Sequence, residues 1–454
     1  MSIKYASQYE RMTTAPVGRL TIGLAIPTTI SMLVTAVYNL VDTYFVGLLG
    51  STSASGAVGV VFTFMALQQA VGFMFGQGSG SMVSRLLGSK NKEKASTIVS
   101  TGFFMAIATG LIIFTVGTVF RHDMIYLFGS TDTIYPYAEQ YFTYLLWASP
   151  FTVSGFVLNN VLRYEGKAKL AMIGLLSGSI INIGLDPLFM FTFDMGMAGA
   201  ALATSIAQVI SFSILLFMFL SGHTESRISI KRFTRDIRDI AEICGTGLPS
   251  LIRQGLGSIS GMMLNNAAKV YDDAAVAAMS IVNRISMLIF SAGLGIGQGF
   301  QPVCGYNYGA KKFDRVRKAY FFTLKVAFVM LGVFATLGLV FAEGAVGLFR
   351  DDPDVTAIGT DALRFQCISL YVIPIMVTTN MLLQSSGQKL AASFTAMLRN
   401  GIYYIPLLLI LSNTVGLKGI QMTQMTADLL SVATCIPIAG NFLNRLKILD
   451  EKKE

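Results

Sequence analysis

The stretch "GQGSGSMVSRLLGSKNKEKA", residues 76–95, has an echo in "GQGFQPVCGYNYGAKKFDRVRKA", residues 297–319. In each, a glycine-rich apolar run ends at a glycine, Gly88 or Gly309, and gives way to a basic loop. The two starts lie 221 residues apart, and other pairs keep nearly that spacing. "GLAIPTTISML" from Gly23 matches "GTGLPSLIRQG" from Gly245, Gly166 falls opposite Gly387, and "GMAGAALATSIAQ" from Gly196 falls opposite "GLKGIQMTQMTAD" from Gly416. Self-similarity of this kind means that one structural unit has been built twice. The halves are expected to be 1–222 and 223–454, with the basic segment Ser221–Asp239 joining them.

Composition tells what the unit is. Of the 454 residues, 53% are hydrophobic and 13% charged, against about a quarter charged in soluble domains. Apolar stretches recur with short polar interruptions, each long enough to cross about 30 Å of hydrocarbon. Twelve spans are predicted, near 18–48, 54–82, 96–120, 134–162, 169–193, 197–221, 241–268, 275–304, 317–342, 359–384, 390–411 and 417–442. Runs such as "FFMAIATGLIIFTVGTVF" do not alternate as barrel strands do, so the backbone must be satisfied within helices. The expected fold is an all-helical integral membrane protein of twelve transmembrane helices in two pseudo-symmetric six-helix lobes. Six is even, so the halves share one orientation and are related by an axis along the membrane normal, a geometry suited to a transporter that rocks about a central cleft.

The net charge of +9 is distributed in alternate loops. Basic residues gather at the N-terminus (Lys4, Arg11, Arg19), at Arg85–Lys94, Arg163–Lys169, Arg227–Arg238 and Lys311–Lys318, at Lys389 and in the tail from Arg445. The other loops hold little beyond Arg121, Lys269, Arg350 and Lys418. The positive-inside rule then places both termini in the cytoplasm. A nucleic-acid surface would need aromatic or base-reading side chains beside these charges, and the loops lack them. Cys244, Cys304, Cys367 and Cys435 form no CxxC pair, so no disulfide and no cysteine metal site is expected. No short apolar core with a cleavage site precedes the first span, so it is read as a retained helix.

An ionisable residue inside a span costs about 2.5–3.5 kcal/mol on insertion scales and marks a functional candidate. Tyr38 and Asp42 are four apart and share one helix face, and Asn182 and Asp186 repeat that spacing. Pro187 follows Asp186 and deprives the Ile183 carbonyl of its donor. Asn159 and Thr204 are candidates on neighbouring spans. Two carboxylates with amide and hydroxyl oxygens suit a proton or Na+, and Asp42, Asn182, Asp186 and Thr204 are the candidate Na+ ligands. Pro27 and Pro187 are candidate hinges, among the prolines that fall inside spans. In the second half Arg253, Arg284, Arg399 and Asp428 lie in or near spans and are expected to form buried ion pairs.

No GxxxxGK[ST] phosphate loop is present, and His122 and His223 sit at span ends. An enzyme site is therefore not expected, no cofactor is implied, and an ion gradient is the expected energy source.

The residues resemble a known family. "IPTTISMLVTAVYNLVDTYFVGLLG", "GQGSGSMVSRLLG", "INIGLDPLFM", "GAALATSIAQ" and "GQGFQPVCGYNYGAKK" together resemble the multidrug and toxic compound extrusion (MATE) transporters, in particular their DinF-like branch. The resemblance implies twelve helices in a V of two lobes. It also implies export of cationic or aromatic small molecules in exchange for H+ or Na+, and a first-lobe network at Tyr38, Asp42, Asn159, Asn182, Asp186 and Thr204. A monomer in a bacterial cytoplasmic membrane is expected. The alternative is a flippase for a lipid-linked oligosaccharide or related amphiphile, kept open by Arg253, Arg284 and Arg399.

Overall fold

The computed structural model describes residues 5–49, 51–349 and 352–452. Lys4 and Arg350, counted in the charge pattern, lie outside the described residues. Fourteen longer helices carry the fold: α1 Val17–Gly47, α2 Thr52–Gly88, α3 Lys92–Val119, α4 Tyr135–Tyr164, α5 Ala168–Pro187, α6 Gly196–Leu220, α7 Ile237–Ala268, α8 Asp273–Gly309, α9 Phe313–Val340, α10 Pro353–Leu370, α11 Ile373–Ser385, α12 Lys389–Met397, α13 Tyr404–Thr414 and α14 Leu417–Glu451. Short helices Gln8–Thr14, Arg121–Leu127 and Ala342–Gly347 connect or precede them. There is no strand among the described residues.

Among the described residues ten helical segments are long and apolar enough to cross a membrane, and the pair α10–α11 makes an eleventh if counted as one span. The remaining expected span, 241–268, is the helix α7, 32 residues long but diluted by Arg253 and Gln254, so that it has no apolar stretch as strong as those ten. The expected span 359–384 is bent by 52° at Tyr371–Val372. Pro374 is the physical reason: it has no N–H to donate to the Leu370 carbonyl, so the helix stops and restarts. Two further spans carry five-residue π turns, Leu188–Thr192 after Pro187 and Leu398–Ile402 ahead of Pro406, as expected where a helix must absorb a lost or misplaced hydrogen bond.

The repeat is written into the backbone as well as the sequence. Lys90 and Lys311, equivalent positions, both take left-handed φ values, 64° and 57°. The helices before them end alike, Asn91 N–H donating to the Leu86 carbonyl and Lys312 N–H to the Asn307 carbonyl, each at 2.8 Å. Gly166 and Gly387 close α4 and α11 with φ of 80° and 76°, a conformation that costs glycine little.

By compactness the chain divides into two units, Met1–Tyr9 with Ile30–Leu251, and Glu10–Thr29 with Ile252–Glu454. The repeat divides the sequence at the linker, whereas compactness divides it inside α1 and α7, shortly after Pro27 and Pro249. In the first unit α4 is the most buried span, with α2, α3, α5 and α6 packed around it. Its Tyr141, Phe142 and Leu145 join Val46, Phe64, Ile125, Met190 and Ala200 in one apolar core, with the Phe64 and Phe142 rings 4.4 Å apart. In the second unit α8 packs against α9, α10 and α11, and α14 against α10 and α13.

Candidate functional site

Four helices of the first unit bring polar side chains into that apolar core. The α-helical period puts Tyr38 and Asp42 on one face of α1 and Asn182 and Asp186 on one face of α5. Within α5 the Asn182 amide donates to Asp186 Oδ1 at 3.2 Å, and it also donates to Thr204 Oγ1 of α6 at 3.2 Å. The Thr204 hydroxyl meets the Tyr141 hydroxyl of α4 at 3.3 Å. Tyr141 in turn donates to Asp42, 3.3 Å from Oδ2 and 3.4 Å from Oδ1. Asp42 and Asp186 are thus the two ends of one hydrogen-bonded chain through Tyr141, Thr204 and Asn182. Tyr38 is buried in the same cluster, its hydroxyl near Thr204 and within electrostatic reach of both carboxylates.

Burial gives the chain its chemistry. Asp186 is 0% exposed and Asp42 is 7% exposed, and desolvated carboxylates cost several kcal/mol unless neutralised or well paired. Donors are scarce: one proton each on Tyr38, Tyr141 and Thr204 and two on Asn182 serve all the oxygens of the cluster. Asp186 Oδ2 and Asn182 Oδ1 are buried with no hydrogen-bond partner. Among the described residues no basic side chain forms an ion pair with either carboxylate, and no three His, Cys, Asp or Glu side chains meet as a metal site. Two orphan oxygens beside a second carboxylate are what a proton, or a hard cation with oxygen ligands, would complete. The residues present therefore fit such an ion.

Of the residues singled out from sequence, Asp42, Asn182, Asp186 and Thr204 meet directly or through one hydroxyl, with Tyr38 beside them. Asn159 is not among them. It sits 18 residues along α4 from Tyr141, about 27 Å at 1.5 Å per residue, and donates to the Ala171 carbonyl of α5 at 2.8 Å. Pro187 adjoins the cluster, at the junction of α5 with the π turn. Gly199 of α6 packs on that turn so tightly that a Cβ there would lie 2.7 Å from the Phe189 carbonyl carbon. Pro27 is 15 residues from Asp42 and belongs to the other compact unit. The sequence does not single out Tyr141, since nothing local separates it from Tyr135, Tyr137 and Tyr144.

The second unit has a different centre. Arg399 donates to Asp428 Oδ1 at 2.8 Å, where Ser369 and Gln424 also donate to Asp428, each at 2.9 Å. The Arg399 guanidinium stacks 4.0 Å above the Phe290 ring. Arg253 donates to Asn380 Oδ1 at 3.1 Å, and Arg284 is exposed. The expected buried ion pair is thus Arg399 with Asp428. Arg253 and Arg399 both line a cavity of about 400 Å3, its open mouth included, among Phe290, Leu294, Met376 and Met381.

Similarity to known proteins agrees with this architecture. The Multidrug export protein MepA of Staphylococcus aureus (strain MSSA476) is 28% identical over 438 residues, 96% of each chain. A crystal structure of MATE in the straight conformation superposes with a TM-score of 0.92 at 25% identity, over 98% of this chain and 100% of that one. An outward-facing multidrug resistance MATE family transporter of the MOP superfamily superposes with the same score, 0.92, at 24% identity, over 98% and 100% of the two chains. The family model described as MatE matches twice, over residues 27–188 and 249–410, one match in each copy of the repeat that the glycine pairs define. Those two matches cover well over half of the sequence, and the chain belongs to the MATE family of membrane transporters.

Proposed function

We propose that this protein is a cation-coupled exporter that exchanges cationic or aromatic small molecules for H+ or Na+ through the first-unit cluster. The observation that carries the reading is the pair of buried carboxylates, Asp42 and Asp186, at the two ends of a donor-poor chain that leaves Asp186 Oδ2 and Asn182 Oδ1 without partners. An ion arriving there neutralises charge and takes up those oxygens, which disfavours a cationic substrate held by the same carboxylates. Ion and substrate thus bind in competition, and their differing affinities for the inward-open and outward-open states supply the coupling. The similarity to a multidrug export protein supports the substrate class.

A second reading, carriage of an acidic amphiphile, draws on Arg253 and Arg399 lining one largely apolar cavity in the second unit. Efflux from proteoliposomes separates the two. With the first reading, an imposed pH or Na+ gradient drives ethidium out and an acidic amphiphile does not compete; competition by the acidic compound with no gradient dependence supports the second.

A further inference from the structure

Between the end of α6 at Leu220 and the start of α7 at Ile237, the chain runs over the first unit with an unusual surface. Arg227, Lys231, Arg232, Arg235 and Arg238 are all exposed, and among the described residues none of these five side chains enters an ion pair. Nearby acids do not balance them. Glu225 is held by Lys92 and Lys167 and Asp239 by Lys94, and the exposed Asp236, whose Oδ1 accepts the backbone N–H of Arg238, offsets one of the five charges. Interleaved with the cations are three apolar side chains turned outward: Ile230, 73% exposed, Ile237, 72%, and Phe233, 38%.

This surface is ordered. Backbone N–H groups of Arg227, Ser229 and Thr234 donate to the hydroxyls of Ser96, Ser100 and Thr101 on α3, each at 3.1 Å. Glu165, fully buried at the end of α4, accepts from the N–H groups of Glu225 and Ser226 and from the Ser226 hydroxyl. A loop whose only task was to mark membrane topology would need cations, but neither outward-facing isoleucines nor a fixed backbone. Cations that pair with phosphate, alternating with side chains that enter the acyl boundary, make an interfacial binding surface.

We propose that residues 227–238 form a docking surface for the anionic phospholipid headgroups of the adjoining leaflet, with Arg232 and Arg235 pairing lipid phosphates and Ile230, Phe233 and Ile237 seated among the upper acyl carbons. The test uses the full chain in nanodiscs, with an environment-sensitive fluorophore on Ile230→Cys and identically treated protein lacking that substitution as blank. In phosphatidylcholine discs containing phosphatidylglycerol, quenching by brominated acyl chains is expected to be about twofold or more above that in pure phosphatidylcholine. The excess disappears near 1 M salt, where screening shortens to about 3 Å. It also disappears in Lys231→Glu/Arg232→Glu/Arg235→Glu, or in the milder Arg232→Gln/Arg235→Gln should the first fail to fold. Equal quenching in both disc types overturns the proposal. So does inorganic phosphate producing the same change in pure phosphatidylcholine, since the surface would then be a soluble-anion site.

Discussion

Tyr141 reaches both carboxylate oxygens of Asp42, at 3.3 and 3.4 Å, while its hydroxyl also touches Thr204. That one phenol links the carboxylate of α1 to the half of the cluster built by α5 and α6. Tyr141→Phe keeps the ring in its apolar core and removes only the link. Losing one such hydrogen bond is worth about 1–1.5 kcal/mol, so gradient-driven efflux in proteoliposomes should fall about tenfold while the detergent-solubilised protein keeps its melting temperature within a few degrees.

Asn159 has a counterpart in the other half. Asn380, 221 positions later, donates to the Ala392 carbonyl at the same 2.8 Å that separates Asn159 from Ala171. An identical bond in both copies, only one of which holds the carboxylate pair, is a brace between consecutive helices. Asn159→Ala and Asn380→Ala should each destabilise their unit by about 1–3 kcal/mol, the cost of stranding a buried partner. Thermal unfolding and expression should show the loss, with the ion dependence of the surviving transport unchanged.

Gly199 sets the position of the π turn that follows Asp186. A methyl there would lie 2.7 Å from the Phe189 carbonyl carbon and 2.8 Å from the Met190 nitrogen, both backbone atoms that cannot step aside cheaply. Gly199→Val is expected to cost about 1–3 kcal/mol as an overpacking change and, by shifting Asp186, to reduce efflux more than an equally destabilising substitution far from the cluster. Comparing transport per folded molecule checks this.

The linker should respond to pH through Glu165. Its burial beneath residues 224–226 raises its pKa above the ordinary 4.5, even though Ser226, the Glu225 N–H and Lys167 pull the other way. A carboxyl that holds its proton more tightly when docked favours docking at low pH, and docking weakens as pH rises through the docked value. Glu225 has the opposite sign. Burial raises its proton affinity, but Lys92 and Lys167 together outweigh this and hold its pKa below 4.5, so its contribution persists until the pH falls beneath that value. A nitroxide at Ile230→Cys in neutral detergent should therefore become less mobile as the pH is lowered, and this response should vanish in Glu165→Gln.

The repeat was legible because Gly166 and Gly387, whose left-handed φ closes α4 and α11, and Gly88 and Gly309, the last residues of α2 and α8, kept both their type and their spacing. Hydropathy located nearly every span, since apolar length is a direct requirement of the bilayer. The bend at Tyr371 was latent in Pro374, but a proline tells where a donor is missing and not how the helix responds. Within the site, the pairs Tyr38/Asp42 and Asn182/Asp186 could be read because helix period alone places each on one face. Tyr141 could not, because which of several tyrosines on α4 faces Asp42 depends on how helices distant in sequence rotate against each other. Asn159 looked like a ligand for the complementary reason: its polarity is visible in the sequence, whereas the nearby carbonyl that satisfies it is not.

The most direct measurement of the central claim is substrate-driven cation movement in proteoliposomes, with the melting temperature of each purified variant measured in parallel to confirm that it is folded. The account predicts that the wild-type protein moves H+ or Na+ against ethidium, and that Asp42→Asn and Asp186→Asn each abolish this exchange while the protein remains folded. A double Asp42→Asn/Asp186→Asn protein that still exchanges ethidium for cation at the wild-type rate would contradict it.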